Sequence, residues 1–380
     1  MGIFSELGVG VALEQALAKQ EINAPTPVQE QSVPEIREGR DVYMCSETGT
    51  GKTLAYLLPL IEGLDVSSSG LQVVVLAPTH ELGMQILRQV QDLKQNSGLD
   101  FRAVSLVGAG SSKRQREKLK KRPHLVVGSP GRVLELIKAR KLKMHTVRTL
   151  VFDEADRLLH GEALALCLQI IRSCVRDRQL VFVSATAKAQ CLGQARKQAP
   201  DLRELQAGSG SVSSCIEHAY LVCEERDKAD LIRQLFHALE PERVIVFTHR
   251  NEMVERVAEK LSFHRLPCAA IHSECDKTER EQALRAFRSG KVRVLVASDV
   301  AARGLDVKGV THVFNCDAPT QSNDYMHRVG RTGRAGEAGR AVSLLTDRET
   351  HLVKRYEREL GVRFYAAVLK AGELLVSTPE

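Results

Sequence analysis

Two acidic residues stand side by side directly after a strongly apolar stretch of the chain. The stretch 150–152 reads as a buried strand, and Asp153 and Glu154 follow it at once. Paired carboxylates at the end of a strand are suited to binding Mg²⁺ and to activating a water molecule. Asp153 is therefore the candidate metal ligand, acting through water. Glu154 is the candidate group that orients or deprotonates the attacking water.

A glycine-rich segment upstream, residues 46–53, has the composition of a loop that wraps phosphate groups. It lies between a predicted strand and a predicted helix at 52–63, which is the context such a loop requires. Its glycines allow backbone N–H groups to turn toward phosphates, and the helix N-terminus adds partial positive charge. A glycine-rich turn without a ligand is the alternative interpretation, and the Gly-Lys-Thr sequence weighs against it. The expected nucleotide-binding residues of this loop are Thr48, Gly49, Thr50, Gly51, Lys52 and Thr53.

The two segments complement each other chemically. Lys52 can reach the outer phosphates as a point charge, and the Thr53 hydroxyl can join Asp153 at Mg²⁺. A phosphate loop followed by strand-terminal carboxylates is the basic equipment for hydrolysing a nucleoside triphosphate.

Composition limits the remaining classes of protein. The 380 residues are 43% hydrophobic, which predicts two or three packed domains. No apolar run reaches the roughly 18 residues that a membrane span needs. The 9 cysteines include no Cys-x-x-Cys pair, so we expect reduced thiols and a cytoplasmic protein. The formal net charge of +7 is compatible with a polyanionic partner without requiring one.

Strand and helix patterns alternate along the whole chain, which predicts parallel sheets with helices on both faces. The linker expected between two domains is rich in Gly and Ser. The predicted strands are 41–45, 72–77, 102–107, 124–128, 148–152, 180–184, 218–223, 243–247, 268–271, 292–297, 311–315 and 341–345. The predicted division is a first domain at 1–206, a linker at 207–215, a second domain at 216–365 and a frayed C-terminal tail at 366–380.

The chain contains a series of short motifs, among them Asp-Glu-Ala-Asp at 153–156. The order and spacing of these motifs resemble those of the DEAD-box ATP-dependent RNA helicases. The resemblance extends from Phe4 to about residue 364. It implies an α/β fold of two tandem RecA-like domains, with ATP and Mg²⁺ as cofactors. It also implies single-stranded RNA or a short RNA duplex as the partner, bound through phosphates and 2′-hydroxyls.

The resemblance assigns roles to further residues of the first half. Gln29, within Pro25-Thr26-Pro27-Val28-Gln29, is expected to recognise adenine, and Ile22 to cover the base. Residues expected to couple hydrolysis to domain closure are Ser184, Thr186 and Asp156. Residues expected to contact RNA are Pro78, Thr79, His80, Gly108, Ser129, Gly131 and Arg132.

The second half supplies the remaining motifs of the family. By resemblance, Asp306 lies toward the ATP ribose, Arg331 and Arg334 are arginine fingers, and His327 bridges toward the Asp-Glu-Ala-Asp segment. The expected RNA contacts here are Arg250, Arg280, Ser298 and Asp299. Phosphate loop and arginines lie in different halves, so hydrolysis is expected to require closure of the two domains.

Several positions depart from the family pattern. Ile22 stands where an aromatic residue is usual, so stacking on adenine is lost. His80 replaces an arginine, and Ala109 replaces a glycine at the backbone approach to RNA. Lys277 and Ser273 replace a glutamine and a glycine. These changes are expected to weaken binding while leaving the hydrolysis residues intact.

Other functions remain open at this point. An ATP-gated RNA clamp or assembly scaffold would use the same residues without releasing duplex strands. A DNA translocase is disfavoured by Asp-Glu-Ala-Asp together with Gln29, and a metabolic ATPase leaves the second-half motifs unexplained. The expected protein is a monomer without membrane association, working with protein partners in ribonucleoprotein particles.

Overall fold

The computed structural model describes residues 3–46, 49–106, 117, 119–186, 189–207, 215–302, 307, 309–333 and 337–377, without the side chains of 277, 300, 302 and 323. The chain divides into two compact units, Met1–Gly210 and Ser211–Glu380. The predicted linker 207–215 lies outside the described residues except at its ends.

The first unit alternates strands and helices. Its strands are β1 Val42–Cys45, β2 Val73–Leu76, β3 Ala103–Leu106, β4 Leu125–Gly128, β5 Thr149–Asp153, β6 Gln179–Ser184 and β7 Arg203–Gln206. Its described helices are α1 Val11–Ala18, α2 Pro27–Arg37, α3 Lys52–Glu62, α4 His80–Ser97, α5 Pro130–Lys138, α6 Ala155–Leu158, α7 Gly161–Ser173 and α8 Ala189–Gln198, with a short 3₁₀ turn at Phe4–Leu7.

The sheet of the first unit has the order β3-β4-β2-β5-β6-β1-β7. Its described pairs are all parallel, and successive residues of a strand enter opposite hydrophobic cores. Burial on both faces explains why these strands read as continuous apolar runs in the sequence. β6 lies between β5 and β1, so the carboxyl ends of these three strands open at one edge. Ligands of such sheets bind at this edge.

The second unit repeats the pattern. Its strands are β8 Ile216–Val222, β9 Val244–Thr248, β10 Cys268–Ile271, β11 Val294–Ser298, β12 His312–Asn315, β13 Gly339–Leu345, β14 Phe364–Lys370 and β15 Glu373–Val376. Its described helices are α9 Lys228–Leu239, α10 Asn251–Phe263, α11 Lys277–Arg288, α12 Asp299–Ala302, α13 Ser322–Val329 and α14 His351–Leu360, with 3₁₀ turns at Glu225–Asp227 and Asp347–Glu349. The sheet order is β10-β11-β9-β12-β13-β8-β14-β15, and of its described pairs only β14–β15 is antiparallel.

The expectation of a frayed C-terminal tail is wrong for residues up to Val376. β14 adds to the sheet beside β8, and β15 folds back on it through a turn at Ala371 and Gly372. Both turn residues have positive φ, 54° and 84°, as two-residue hairpins of this kind require. The hairpin is held because Phe364 and Ala367 are buried and because Leu374 and Val376 of β15 pack on the core.

The nine cysteines form no disulfide, and Cys215 is the only one classed as exposed. Among the described residues, no helix is both long and apolar enough to cross a membrane.

Candidate active site and nucleic-acid interface

The loop between β1 and α3 has the backbone geometry that a phosphate loop needs. Gly49 and Gly51 adopt positive φ values of 84° and 89°, which side-chain-bearing residues rarely adopt. A Cβ atom on Gly51 would lie 2.4 Å from Nε2 of Gln29. Glycine is therefore required at position 51 by both torsion and space. Thr48 lies outside the described residues.

The predicted adenine-recognition segment packs against this loop. Gln29 is buried and donates through Nε2 to the Gly51 carbonyl at 3.1 Å, while its Oε1 accepts from the Thr26 backbone N–H at 2.9 Å. The Thr26 hydroxyl donates to the Thr50 carbonyl at 2.7 Å. Gln29 keeps one further N–H and one lone pair for a ligand. Ile22 packs at the edge of the core and stays partly exposed.

Lys52 begins α3 and turns back over the loop. Its Nζ donates to the Ser46 carbonyl at 2.5 Å, and the Ser46 hydroxyl donates to Thr50 Oγ1 at 2.9 Å. Burial lowers the pKa of Lys52 to about 8, and the negative charge of Asp153 works against that shift. The ammonium group and the strand-terminal carboxylate predicted to act on one nucleotide therefore influence each other electrostatically.

Asp153 ends β5 as a buried carboxylate with partners on both oxygens. Oδ1 accepts from the Glu154 backbone N–H at 2.9 Å, and Oδ2 accepts from the Tyr56 hydroxyl at 2.9 Å. Burial, followed by the charge of Glu154, raises the pKa of Asp153 to about 6. A cation bound at this position would favour the ionised carboxylate and would therefore lower the pKa of Asp153.

Glu154 has a strained backbone, with φ and ψ both at 53°. A left-handed conformation at a residue other than glycine persists only where surrounding structure enforces it, and it is frequent at functional sites. The Glu154 carboxylate lies 3.6 Å from Nε of Arg157. Asp156, predicted to couple hydrolysis to closure, is buried in α6, where its carbonyl accepts from Cys191 Sγ at 3.6 Å.

The Ser-Ala-Thr segment forms a tight turn at the end of β6. The Ser184 hydroxyl donates to the Thr186 carbonyl at 2.8 Å and accepts from the Thr186 N–H at 3.2 Å. The Ser184 carbonyl accepts from the Ser46 N–H at 3.2 Å. The turn is thus joined directly to the start of the phosphate loop.

The predicted RNA-contacting residues of the first unit gather at two helix N-termini. Thr79 caps α4 by accepting from the Leu82 N–H at 3.2 Å, and His80 is exposed beside it. Ser129 is the N-cap of α5, and Gly131 is exposed with open space around it. Because β2 and β4, which precede these helices, are neighbours, the two N-termini open at the same edge. Exposed helix N-termini bind phosphate.

The other three predicted RNA contacts of the first unit differ in exposure and in how far the structure describes them. Pro78 precedes Thr79 and is partly exposed, while Arg132 pairs with Glu135 at 2.5 Å. Gly108 lies outside the described residues, as does the Ala109 substitution.

In the second unit, Asp299 is engaged by an arginine that sequence reasoning left without a role. Arg328 is 2% exposed, and its Nε and Nη2 each lie 2.6 Å from one Asp299 oxygen. His249 Nδ1 lies 3.2 Å from the same carboxylate. Burial would raise the pKa of Asp299, but the hydrogen bonds from His249 and Arg328 outweigh it and hold that pKa far below its ordinary value.

The other predicted RNA contacts of the second unit differ in exposure. Arg250 is exposed at the N-cap of α10. Arg280 donates to the Ala301 carbonyl at 2.5 Å. Ser298 is buried, and its hydroxyl has no hydrogen-bond partner within the described part of the chain.

The predicted arginine-finger segment is described only in part. His327 is buried in α13, and its carbonyl accepts from Nε of Arg331 at 3.0 Å. Arg334 and Asp306 lie outside the described residues.

Comparison with protein families decides the relationship. Residues 26–192 match the model described as DEAD/DEAH box helicase, and residues 227–336 match the helicase conserved C-terminal domain. The DEAD-box ATP-dependent RNA helicase CshC of Bacillus cereus is 42% identical over 97% of this chain and 94% of its own length. The chain belongs to the DEAD-box family of ATP-dependent RNA helicases.

Further DEAD-box relatives agree. The probable ATP-dependent RNA helicase YfmL of Bacillus subtilis is 44% identical over 92% of each chain. Among solved structures, Saccharomyces cerevisiae Dbp5 bound to RNA and ADP BeF3 is 27% identical, covers 96% of this chain and 95% of that chain, and has a TM-score of 0.86. A DEAD box protein from Methanococcus jannaschii covers 96% and 98% at 28% identity, with a TM-score of 0.61. The predicted fold of two tandem RecA-like domains is confirmed.

Two contacts of this DEAD-box protein were missed by sequence reasoning. The sequence analysis assigns no role to Tyr56, although Tyr56 carries the only hydroxyl between Leu54 and Ile61. Arg328 follows His327 directly in the sequence and has no predicted role. The feature of the sequence that could reveal its role is the position of an arginine in a segment that becomes buried, because a buried charge requires a partner.

Proposed function

We propose that the protein hydrolyses ATP with Mg²⁺ when RNA is bound, and that closure of its two units locally unwinds or remodels RNA duplexes or RNA–protein complexes. The observation that carries this proposal is the convergence of Lys52, Asp153 and Ser184 at the carboxyl ends of neighbouring parallel strands. Family membership supports the same activity.

The donor set at this edge fits Mg²⁺. Asp153 supplies a buried carboxylate and Thr53 a hydroxyl, the oxygen donors that Mg²⁺ prefers, with water completing the shell. When bound, Mg²⁺ would neutralise charge on the outer phosphates. Lys52 would bind those phosphates, and Glu154 would orient or deprotonate the attacking water.

The remaining ATP contacts follow from the family assignment. Gln29 would recognise adenine beside Ile22, the loop residues 48–51 would surround the phosphates, and Asp306 would hold the ribose. Arg331 and Arg334, with His327, would act on closure, and arginine fingers contribute roughly 10³–10⁵ in rate in related chemistry. Ser184, Thr186 and Asp156 would transmit closure to the site.

RNA would be held through its backbone and with little regard to base sequence. The N-termini of α4 and α5, at Thr79 and Ser129, are suited to phosphates, and Arg250 is exposed for the same purpose. The 2′-hydroxyl would distinguish RNA from DNA. We further propose a cytoplasmic monomer with partners in ribonucleoprotein particles, in keeping with the absence of a disulfide among its nine cysteines.

ATP turnover at fixed salt, with single-stranded RNA or with DNA of the same sequence, tests the proposal. We expect strong stimulation by RNA and little by DNA. Equal stimulation by both strands would favour a DNA translocase, and no stimulation by either would contradict RNA-gated hydrolysis.

The variant Glu154→Gln separates hydrolysis from binding. Loss of a general base typically costs 10²–10⁴ in rate, so RNA-stimulated turnover should fall by about that factor while ATP binding is retained. The matched control is Glu162→Gln, an exposed glutamate at the start of α7. Wild-type turnover in Glu154→Gln would refute the assigned role.

A further inference from the structure

Tyr56 is a polar group in an otherwise apolar setting. It lies in α3 with no exposed surface, and the residues from Leu54 to Ile61 around it are otherwise buried hydrophobic residues. A phenylalanine would fill the same space without a hydroxyl to satisfy. A buried hydroxyl costs stability unless it is hydrogen-bonded, and the partner that Tyr56 has is the Asp153 carboxylate at 2.9 Å.

This contact fixes a carboxylate that would otherwise be free to rotate. Oδ1 of Asp153 is held by the Glu154 N–H, a partner from the same strand end. Oδ2 is held by Tyr56, a partner from the helix that follows the phosphate loop. With both oxygens engaged, the plane of the carboxylate is set, and each oxygen retains a lone pair for further donors.

Tyr56 also belongs to the helix that carries the other predicted Mg²⁺ residue. Thr53 lies one turn before Tyr56 on α3, on the same helical face. Thr53 and Tyr56 are therefore positioned by the same stretch of helix.

We infer that Tyr56 is a positioning residue for the Mg²⁺–nucleotide complex, since its hydroxyl ties the helix bearing Lys52 and Thr53 to the Asp153 carboxylate. This inference rests on the proposed function, in which Asp153 holds Mg²⁺. Partners that orient metal ligands in this way typically contribute 10- to 100-fold in metal affinity.

Binding of a fluorescent ADP analogue, titrated with MgCl₂, tests the inference without turnover. In Tyr56→Phe, the Mg²⁺ concentration for half-maximal tightening should rise about 10-fold. ADP affinity in EDTA should match wild type, because no nucleotide contact is removed. Tyr356→Phe is the matched control, since that phenol is also buried and donates to the Pro319 carbonyl in the other unit.

A purely structural role would lower the melting temperature of both tyrosine variants and leave the Mg²⁺ titration of each unchanged. That result would overturn the inference. The variant Asp153→Asn distinguishes a failure of the inference about Tyr56 from a failure of the proposed metal site. A shifted Mg²⁺ titration in Asp153→Asn, beside a wild-type titration in Tyr56→Phe, would refute only the role of Tyr56. Wild-type Mg²⁺ dependence in Asp153→Asn would refute the proposed metal site, and the role of Tyr56 with it.

Discussion

Lys228 is a charged residue with 1% of its surface exposed, surrounded by carboxylates. Its Nζ lies 2.8 Å from Glu225, 3.2 Å from Asp317 and 3.7 Å from Glu349. Burial alone would lower the pKa of Lys228, but the Glu225 hydrogen bond and the Asp317 and Glu349 charges raise it above its ordinary value. The ammonium therefore stays charged and balances the carboxylates around it.

Replacing Lys228 by methionine should leave Asp317 without its buried cationic partner. Breaking a buried pair by removing one member costs about 3–5 kcal/mol, and we expect the free energy of unfolding of the second unit to fall by that amount in urea titrations. Lys260→Met is the matched control, because Lys260 pairs with Asp230 at 3.4 Å while 41% exposed. Lys260→Met should lower the free energy of unfolding by less than about 1 kcal/mol. Equal losses in both variants would contradict this account.

His249 couples the stability of the second unit to pH. The hydrogen bond with Asp299 raises its pKa above the ordinary value, against burial and the Arg328 charge, while its Nε2 lies 3.0 Å from the Ala318 carbonyl. Because folding raises this pKa, protonated His249 stabilises the folded unit. That stabilisation is complete below about pH 6.5, which is the pKa of a histidine in the unfolded chain. It is lost as pH rises through the higher folded value.

The stability difference between wild type and His249→Gln should therefore shrink as pH increases from about 6.5 into the alkaline range. Urea unfolding at a series of pH values measures it, and an NMR titration of the His249 ring gives the pKa directly. A folded pKa at or below about 6.5 would contradict the prediction.

At the scale of elements, the strands predicted from apolar runs all coincide with strands to within a few residues. Most of those runs can be read because every residue of the central strands, such as β2, β5, β9 and β11, is buried. β7 was missed because it is a largely exposed edge strand, Arg203-Glu204-Leu205-Gln206, without an apolar pattern. β14 and β15 were missed because their buried positions are few and depend on contacts with distant residues.

Gly51 joins the phosphate loop to the N-terminus of α3, and its replacement tests the loop geometry. Gly51→Ala should destabilise the first unit by more than the roughly 1–2 kcal/mol of left-handed strain, because the new methyl group meets Gln29. It should also weaken ADP binding. Gly98→Ala is the control: its φ is also positive, at 72°, with nothing within 4 Å of the added carbon. Wild-type ADP affinity in Gly51→Ala would contradict the required loop geometry.

The C-terminal hairpin is joined to the second unit through Phe364. The centroid of its ring lies 5.4 Å from the ring centroid of His218, 5.3 Å from that of Tyr325 and 5.7 Å from that of Tyr356. Phe364→Ala should lower the free energy of unfolding of this unit by about 3–5 kcal/mol. Phe263→Ala, at a ring 82% exposed, should change it by less than about 0.5 kcal/mol. A small loss at Phe364 would mean that the hairpin contributes little to the fold.

At the scale of the whole molecule, two α/β units and a nucleotide site could be predicted because their motifs are local in sequence. Asp153 and Glu154 stand at a strand end, and Lys52 stands at the start of the helix after the phosphate loop, so all three can be read directly from the sequence. The contact between Tyr56 and Asp153 joins residues 97 positions apart. The pairing of Asp299 with Arg328 likewise depends on how α12 and α13 lie relative to each other, which the spacing of residues along the sequence does not reveal.

If RNA is recognised through its backbone, as proposed, a chain of net charge +7 should bind it with an affinity that depends strongly on salt. The logarithm of affinity should fall linearly with the logarithm of salt concentration, by about 0.7 per phosphate neutralised on a single strand. RNAs of equal length and different sequence should bind with similar affinity and with a similar dependence on salt. Arg250→Ala should reduce the slope by roughly that increment, whereas Arg358→Ala, at a side chain 78% exposed, should not. Strong sequence preference at fixed length would contradict backbone recognition.

The cysteine distribution makes the protein convenient to label. Cys215 is exposed where β8 begins, just after the junction of the two units, whereas the other eight thiols are buried or partly buried. Burial raises the pKa of most of these, including Cys45, Cys167 and Cys316, so little reactive thiolate forms at neutral pH. One brief maleimide treatment should therefore place a single dye beside the junction of the two units in the unmodified sequence. The fluorescence of that dye would then test the proposed closure of the units without any engineered cysteine.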